Sequence, residues 1–449
     1  KELEPWFDQA RRMLGVTENP YFSNSDQAMK DAAIEMGVGH TFQMAPLGVF
    51  FGEGKGVAAK DPFFGGVGPD RNGCQQCGSC MTGCQFNAKN TLPKNYLGLA
   101  ESAGAQVFPM TTATKVQQLK DGRWKITTTK TNDPFGSRGK TFFANEVIVA
   151  AGTFNTQKLL HKMKDSGVLP LISDRLGDLS RTNSEALTGA MMKNTDIDFS
   201  QGSAITSSFF PDEHTHIEPV RYGHGSGFMG IMVSLMASGK RGESPTPLRL
   251  LGATLRNLNQ LPKFYNLRTW PQRTLILLVM QARDNSLTTF AKKTLFGRTK
   301  LTSKQGYGEE NPAWVKAGHD FTRELAADMN GIPGAVATEP FGIPMTAHFL
   351  GGCVIGSSAK DGVVDGYLRA FGQPGLHIFD GSTLSANPGV NPSLSIAAQA
   401  EWAAAHWPNK GERDPRPKLD AKFRLVNPVE PKNPVVPKRA PAALRLPLA

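Results

Sequence analysis

No hydrophobic run in this chain approaches the length that spans a bilayer, and no basic, apolar, small-residue succession of the signal-peptide kind opens it. The first absence excludes a single-pass helical span. The second says nothing about export, because the chain starts at Lys1 rather than at a methionine. No helix–turn–helix or zinc-finger spacing accompanies the formal net charge of +11, so the basic surplus does not point to nucleic acid. No segment repeats. What remains is a composition ordinary for a soluble globular protein and 449 residues, enough for more than one domain.

The most informative residues present are Gly389-Val390-Asn391-Pro392, with Thr346-Ala347-His348 forty-three residues earlier. Asn391 is a good N-cap, and Pro392 suits a first helical position, where a missing N–H costs nothing. Ser393 to Ala405 runs Ala-rich without Gly or Pro, so a helix is expected there, ending near Trp407-Pro408. A helix start gathers unpaired N–H groups and partial positive charge, and seats an anion. Gly351-Gly352, just beyond His348, allow backbone to approach a flat ligand. A histidine and an amide converging on one alcohol can hold its hydroxyl and take its proton, leaving a hydride free to depart. Taken singly, His348 and Asn391 read as a core histidine and a helix cap; taken as a pair, they read as chemistry.

These residues carry a family resemblance. "TAHFLGGCVIG", "LHIFDGSTLSANPGVNPSLSIAAQAE" and "VIVAAGTFNTQKLL" resemble the glucose-methanol-choline (GMC) oxidoreductases, and within them the branch of actinobacterial sterol oxidases, over nearly the whole chain to about Lys410. The resemblance implies FAD as cofactor, His348 as catalytic histidine and Asn391 as binder of the substrate hydroxyl. It also implies cofactor contacts at Gly152, Asp380, Gly381, Asn391, Pro392 and Ser393. Glu218, in "THIEPVRYG", stands where such enzymes place a carboxylate base that shifts a double bond after oxidation. An apolar pocket that raises its pKa suits that task; the alternative is a plain ion pair with Arg221. The implied activity is oxidation of the 3-hydroxyl of cholesterol or a related sterol to the ketone, with isomerisation to the 4-en-3-one. Two alternatives stand beside it: a GMC dehydrogenase for another bulky alcohol using an iron–sulfur relay, and a non-catalytic fragment.

The fragment alternative comes from a missing signature. The family has a strand, a Gly-x-Gly-x-x-Gly turn and an acidic residue ahead of this point, to hold the ADP half of FAD. Here "KELEPWFDQARRMLGV" opens the chain as an amphipathic helix instead. Gly225-Ser226-Gly227-Phe228-Met229-Gly230 matches the pattern, but it follows no buried strand and reads as coincidence. The chain is therefore expected to be the larger part of a longer flavoprotein.

The fold class expected is α/β (α+β overall): an incomplete Rossmann-like FAD-binding domain plus a substrate domain with an antiparallel sheet flanked by helices. Residues 1–85 hold the N-terminal helix, a lid or loop region and a cysteine cluster; 86–165 hold part of the FAD-binding domain. Residues 166–335 form the substrate domain, 336–409 return to the FAD-binding domain with His348 and Asn391, and 410–449 are a Pro-rich basic tail. Strands are expected at "AQVFPMTTATKVQQL", "RWKITTTKT", "KTFFANEVIVAAG", "SAITSSFF", "THIEPVRY", "TLILLVMQ", "SLTTF" and "TKLTSKQ", and a helix at "AWVKAGHDFTRELAADMN".

Four of the five cysteines form Cys74-x-x-Cys77-x-x-Cys80-x-x-x-Cys84, the ferredoxin spacing, with Gln85 where proline usually follows. An iron–sulfur cluster, a structural zinc, disulfides and buried thiols all remain open, with iron–sulfur ranked above zinc for the close spacing. Cys353 reads as a packed small residue. The basic charge suits transient contact with an anionic membrane surface. "LRLLGATLRNLNQLPKFYNLRTW" reads as a helix pair with a solvated basic face in preference to an interfacial segment. Compartment and oligomeric state stay open.

Overall fold

Among the described residues, helical periodicity in the sequence becomes the main helices α1 (Glu4–Met13), α2 (Asn24–Glu35), α3 (Tyr96–Ser102), α4 (Thr153–Asp165), α5 (Pro247–Arg256), α6 (Lys316–Asp328) and α7 (Ser393–Ala405). The main strands are β1 (Thr111–Gln118), β2 (Trp124–Lys130), β3 (Arg138–Ala144), β4 (Val147–Val149), β5 (Ala186–Met192), β6 (Thr215–Val220), β7 (Val233–Leu235), β8 (Thr274–Gln281), β9 (Asn285–Lys293), β10 (Thr299–Gly308), β11 (Gly331–Val336) and β12 (Leu376–Ile378). The structure is a computed structural model describing all residues except 1, 134, 136, 238, 240–244, 295–298, 344 and 447–449.

The element that positions the site is a five-stranded antiparallel sheet of order β6-β8-β5-β11-β7. Side chains alternate between its faces. One set, Ile217, Leu275, Leu277, Val279, Ala186 and Ala190, packs under Phe321, Leu325 and Ala326 of α6. The other set, including Leu187, Val220, Ile276 and Leu278, faces a cavity. Pro219 is tolerated because β6 is an edge strand, where a missing N–H breaks no ladder. Two of the three inner strands, β5 and β11, carry Gly189 and Gly334 on the cavity wall.

Elsewhere β1, β2 and β3 form an antiparallel meander, and β4 pairs in parallel with β12, joining 147–149 to 376–378. Around that pair lies a core of Trp124, Leu160, Met163, Val364, Tyr367 and Trp402. The chain after 410 has no helix or strand among its described residues. It lies along the surface: Val435, Val436 and Ala442 pack on Met13 and Phe64, and the Tyr367 hydroxyl donates to the Arg424 carbonyl at 2.7 Å.

Several expectations change in detail. "SAITSSFF" contributes only the short strand Ser207–Ser208, paired with Gln43–Met44. Gly225–Gly230 lies in a bend running into the 3-10 turn Gly227–Met232, where Gly227 and Gly230 pack against Leu267 and Trp270; this is not a phosphate loop. Gly351 and Gly352 have φ of +72° and +87°, and side chains there would run into the Leu179 carbonyl and Gln157. Their glycines serve backbone packing rather than approach to a flat ligand.

Candidate active site

Glu218 sits on β6 between His216 and Val220, its side chain directed to the cavity face by strand alternation. Glu185 stands one residue before β5, in phase with Leu187, and lines the same cavity. His348 is carried by the loop that follows β11. That loop is rooted by a buried pair: His319 Nε2 lies 2.9 Å from Glu339 Oε2, below the turn Glu339–Phe341. Asn391 comes from the approach to α7.

The four groups form two contacting pairs. His348 Nδ1 lies 2.5 Å from Glu185 Oε1, and the Ala347 N–H donates to Glu185 Oε2 at 2.9 Å. A carboxylate accepts only, so Nδ1 donates, and Nε2 is left as the basic nitrogen. The Glu185 side chain is almost wholly buried, so it holds the ring orientation without competing water. Asn391 Nδ2 donates to Glu218 Oε1 at 3.0 Å and Oε2 at 2.8 Å. Glu218 does not pair with Arg221, which turns instead to the Ser23 and Thr206 hydroxyls at 3.0 and 2.7 Å and to the Gln201 carbonyl.

Burial pushes the Glu218 carboxyl up to about 7; the Asn391 hydrogen bond and the charge of His348 pull it down, and Glu185 pushes it up again. His216, two residues along the same face, has Nδ1 3.8 Å from Glu218 Oε1. Burial holds this imidazole near 4, with the Gly389 backbone opposing, so it is neutral beside the carboxyl.

The cavity has a volume of about 400 Å³ and a wall dominated by Leu187, Met191, Ile276, Leu278, Phe264 and Trp270; its polar groups include Glu185, His348 and Asn391. That size falls in the ordinary range of ligand pockets, roughly 300–1,000 Å³.

Asn391 is not the N-cap. The cap is Pro392, one residue later, which has no side-chain acceptor and makes no cap hydrogen bond, while the Asn391 Nδ2 donates to Glu218. The first turn of α7 therefore starts uncapped beside the cavity, with Pro392 buried and Ser393 exposed. Gly152 has φ +75°, and a side chain there would meet nothing within 4 Å. An open helix start and an open glycine fit an anionic, flat cofactor. Asp380 is already engaged: its oxygens accept from the Ser382 N–H at 2.9 Å and the Thr156 hydroxyl at 2.5 Å. Gly381 is packed against Thr153, Leu350 and Ile396. Both shape this region from behind.

The cysteines do not gather. Among the described residues no three His, Cys, Asp or Glu side chains come together to hold a metal, and Cys74, Cys77, Cys80 and Cys84 are all free thiols. The left-handed Gly78 and the 3-10 turn Ser79–Met81 split the motif, tied down by the Gly78 N–H to the Gly202 carbonyl at 2.8 Å. Cys74 and Cys84 pack with Val49, Phe51 and Ala88. Cys84 Sγ accepts the Ala88 and Lys89 N–H groups at 3.4 Å each. The iron–sulfur and zinc expectations are corrected accordingly: these sulfurs do not fit a cluster.

Family models described as GMC oxidoreductase match residues 63–177 and 308–400. A cholesterol oxidase from Mycobacterium tuberculosis (strain CDC 1551 / Oshkosh) is 51% identical over 454 residues, 99% of this chain and 78% of its own length. A cholesterol oxidase from Acinetobacter baumannii is 41% identical over 419 residues, 91% of this chain and 75% of its own. Among solved structures, pyridoxine 4-oxidase from Mesorbium loti aligns with a TM-score of 0.47 and 12% identity over 86% of this chain and 70% of that one, too loosely to add to the sequence matches. Glu185 escaped sequence reading; its only signal is an acidic residue in phase with a strand that itself was not legible.

Proposed function

The chain belongs to the GMC oxidoreductase family of FAD-dependent alcohol-oxidising enzymes, and from that premise we propose that its substrate is a sterol, oxidised at the 3-hydroxyl to the ketone and then isomerised to the conjugated 4-en-3-one. One observation carries the reading: an almost wholly apolar cavity lined by both the His348 imidazole and the Asn391 amide. A rigid hydrocarbon skeleton fills such a space, and its single alcohol finds the polar groups.

The amide nitrogen of Asn391 has two N–H bonds, one available to the hydroxyl oxygen when the other holds Glu218. The hydroxyl proton then points to His348 Nε2, which takes it as general base while Glu185 stabilises the resulting imidazolium. FAD, when bound, supplies the hydride acceptor; the start of α7 at Pro392 and Ser393 and the open Gly152 are the residues that would hold it. Once the ketone has formed, the proton between it and the double bond is acidified. Glu218 takes that proton and returns it at the far end of the allylic system. A carboxyl near 7 is matched to both halves of the transfer.

The test is an assay of the FAD-loaded protein with cholesterol, with product identification and a peroxide readout. Formation of cholest-4-en-3-one with stoichiometric peroxide is expected. No turnover of any sterol, with other alcohols oxidised, would overturn the substrate assignment.

A further inference from the structure

Besides hydrocarbon, the cavity wall is rich in thioether. Met81, Met191, Met229, Met232 and Met345 line it, out of 15 methionines in the chain. A third of one residue type in a single wall gives that wall a chemistry as well as a shape. Thioethers are soft and adaptable, and they are also the side chains that peroxide converts to sulfoxides. The five differ in access. Met191 is buried, Met229 and Met345 are partly buried, and Met232 and Met81 are 45% and 53% exposed.

Met81 comes from the cysteine-bearing loop, which the mechanism does not otherwise use. Backbone fixes its turn, Ser79–Met81. The Gly78 N–H donates to the Gly202 carbonyl at 2.8 Å, and Lys89 Nζ donates to the Cys80 carbonyl at 3.1 Å. A side chain at Gly78 would run into the Ser200 carbonyl, and one at Gly223 into the Cys77 carbonyl. The loop is thus seated tightly against 200–202 and 223, and it holds the Met81 thioether in the wall that His348 and Asn391 also line.

Oxidation of an alcohol at the expense of oxygen yields one ketone and one hydrogen peroxide. Peroxide made in this cavity leaves past its wall. At a thioether the O–O bond breaks, one oxygen bonds to sulfur, and the other departs as water. Sulfur loses two electrons and peroxide gains them, so no further reactant is needed. We propose that Met81 is a modification site, oxidised by peroxide to the sulfoxide, whose new polar oxygen weakens binding of an apolar alcohol in the cavity. Turnover is then self-limiting, and methionine sulfoxide reductases reverse the block. This rests on the sterol-oxidase reading for the source of peroxide, but added peroxide tests the site without it.

The experiment is peptide mapping of the FAD-loaded protein by mass spectrometry, with Met110 as internal control. Met110, just before β1, is 56% exposed and lies outside the cavity wall. Fragment spectra separate Met81 sulfoxide from oxidation at the neighbouring thiols. Dilute hydrogen peroxide added from solution should oxidise Met81 and Met110 at similar rates, since their exposures match. Peroxide made during sterol turnover, with catalase clearing the bulk, should oxidise Met81 several-fold faster than Met110. The oxidised protein should show KM for dispersed sterol raised roughly five- to tenfold with kcat little changed, the scale of one desolvated polar group. Sulfoxide reductase treatment should reverse the rise. Each variant is compared with itself before and after added peroxide: Met81→Leu should show no rise in KM, and Met110→Leu the full rise. A full rise in Met81→Leu, or no Met81 sulfoxide under added peroxide, overturns the proposal. So does equal labelling of Met81 and Met110 by turnover with catalase present. Met81 sulfoxide under added peroxide, with no sterol turned over, would remove the substrate assignment and leave the site standing.

Discussion

Between residues 74 and 84 four thiols lie within eleven positions and do not form a ligand set. Glu185, Glu218, His348 and Asn391 are scattered from 185 to 391, and they form two hydrogen-bonded pairs, with Glu185, His348 and Asn391 lining one cavity. The contrast lies in the backbone. Glu185 and Glu218 approach or occupy strands of one sheet in register, so pleating sends both side chains to the same face. The cysteines occupy a loop whose left-handed Gly78 and 3-10 turn redirect the chain every few residues. Closeness along a chain offers convergence only when the local geometry keeps one face.

The comparison breaks first at His348. If the scattered set is the working one, His348→Ala should lower the rate of reductive half-reaction by about 10²–10⁴-fold, the usual worth of a general base, with the flavin spectrum retained. Asn391→Asp should fall comparably, since it sets a second carboxylate against Glu218. Parent-like stopped-flow rates in either variant would remove the mechanism. Glu185 comes next. Glu185→Gln should cost ~10²-fold, the scale on which a misplaced catalytic group acts. The loss should fall on kcat with KM little changed, and Glu185→Asp should recover part of it. A purely structural carboxylate would lower Tm without that split.

Legibility followed the same divide between regular and irregular backbone. Ser393–Ala405 was readable as a helix from its alanines, β8 from its unbroken aliphatic run, and β6 from the alternation of Thr215, Ile217 and Pro219 with His216, Glu218 and Val220. The inner strands β5 and β11 were not. "ALTGAMM" and "GIPGAV" carry Gly189, Pro333 and Gly334, which weaken a strand pattern; the two glycines line the cavity, and a side chain there would crowd the Leu275 carbonyl and the Phe264 ring. His348 and Asn391 were legible through family likeness rather than pattern. Glu185 was hidden with its strand, and the Asn391 cap gave way to a tertiary partner in Glu218 that no local rule reports. The exposed leucines of α5 also needed the structure, since an apolar stripe in sequence does not say which way it faces.

Glu218 sharpens the contrast by its pH dependence. Its carboxyl lies near 7 in the fold against an ordinary 4.5, chiefly through burial. The folded state therefore holds the proton more tightly than the unfolded state. Its carboxylate form costs stability, by nothing below about 4.5 and in full above about 7. Two to three units correspond to roughly 3 kcal/mol. Glu218→Gln should raise the urea midpoint at pH 8 and leave it unchanged at pH 4, while accumulating the unconjugated ketone. Isomerisation by the parent should climb as pH passes through 7. Equal midpoints at both pH values would mean the carboxylate is not the buried, costly group described.

The smallest effects belong to the thiols, and they differ among themselves. Burial pushes the Cys80 thiol up, whereas at Cys84 burial is outweighed by the N–H groups of Lys89, Ala88 and Phe86, which hold its pKa below the usual range. The thiolate is the reactive form, so Cys84 should alkylate before Cys80 and before Cys74, which burial also pushes up. Peptide mapping after brief iodoacetamide treatment at pH 8 reads that order. A bound cluster would protect its ligands together and leave a 400 nm shoulder after flavin removal. Cys77→Ser should leave turnover intact and cost about 1 kcal/mol or less, the ordinary size of a substitution that opens no core cavity. Cooperative protection of all four thiols, with stoichiometric iron and sulfide in anaerobically purified protein, would mean that binding regathers a loop which this fold holds apart. The dense motif would then rank beside the scattered one.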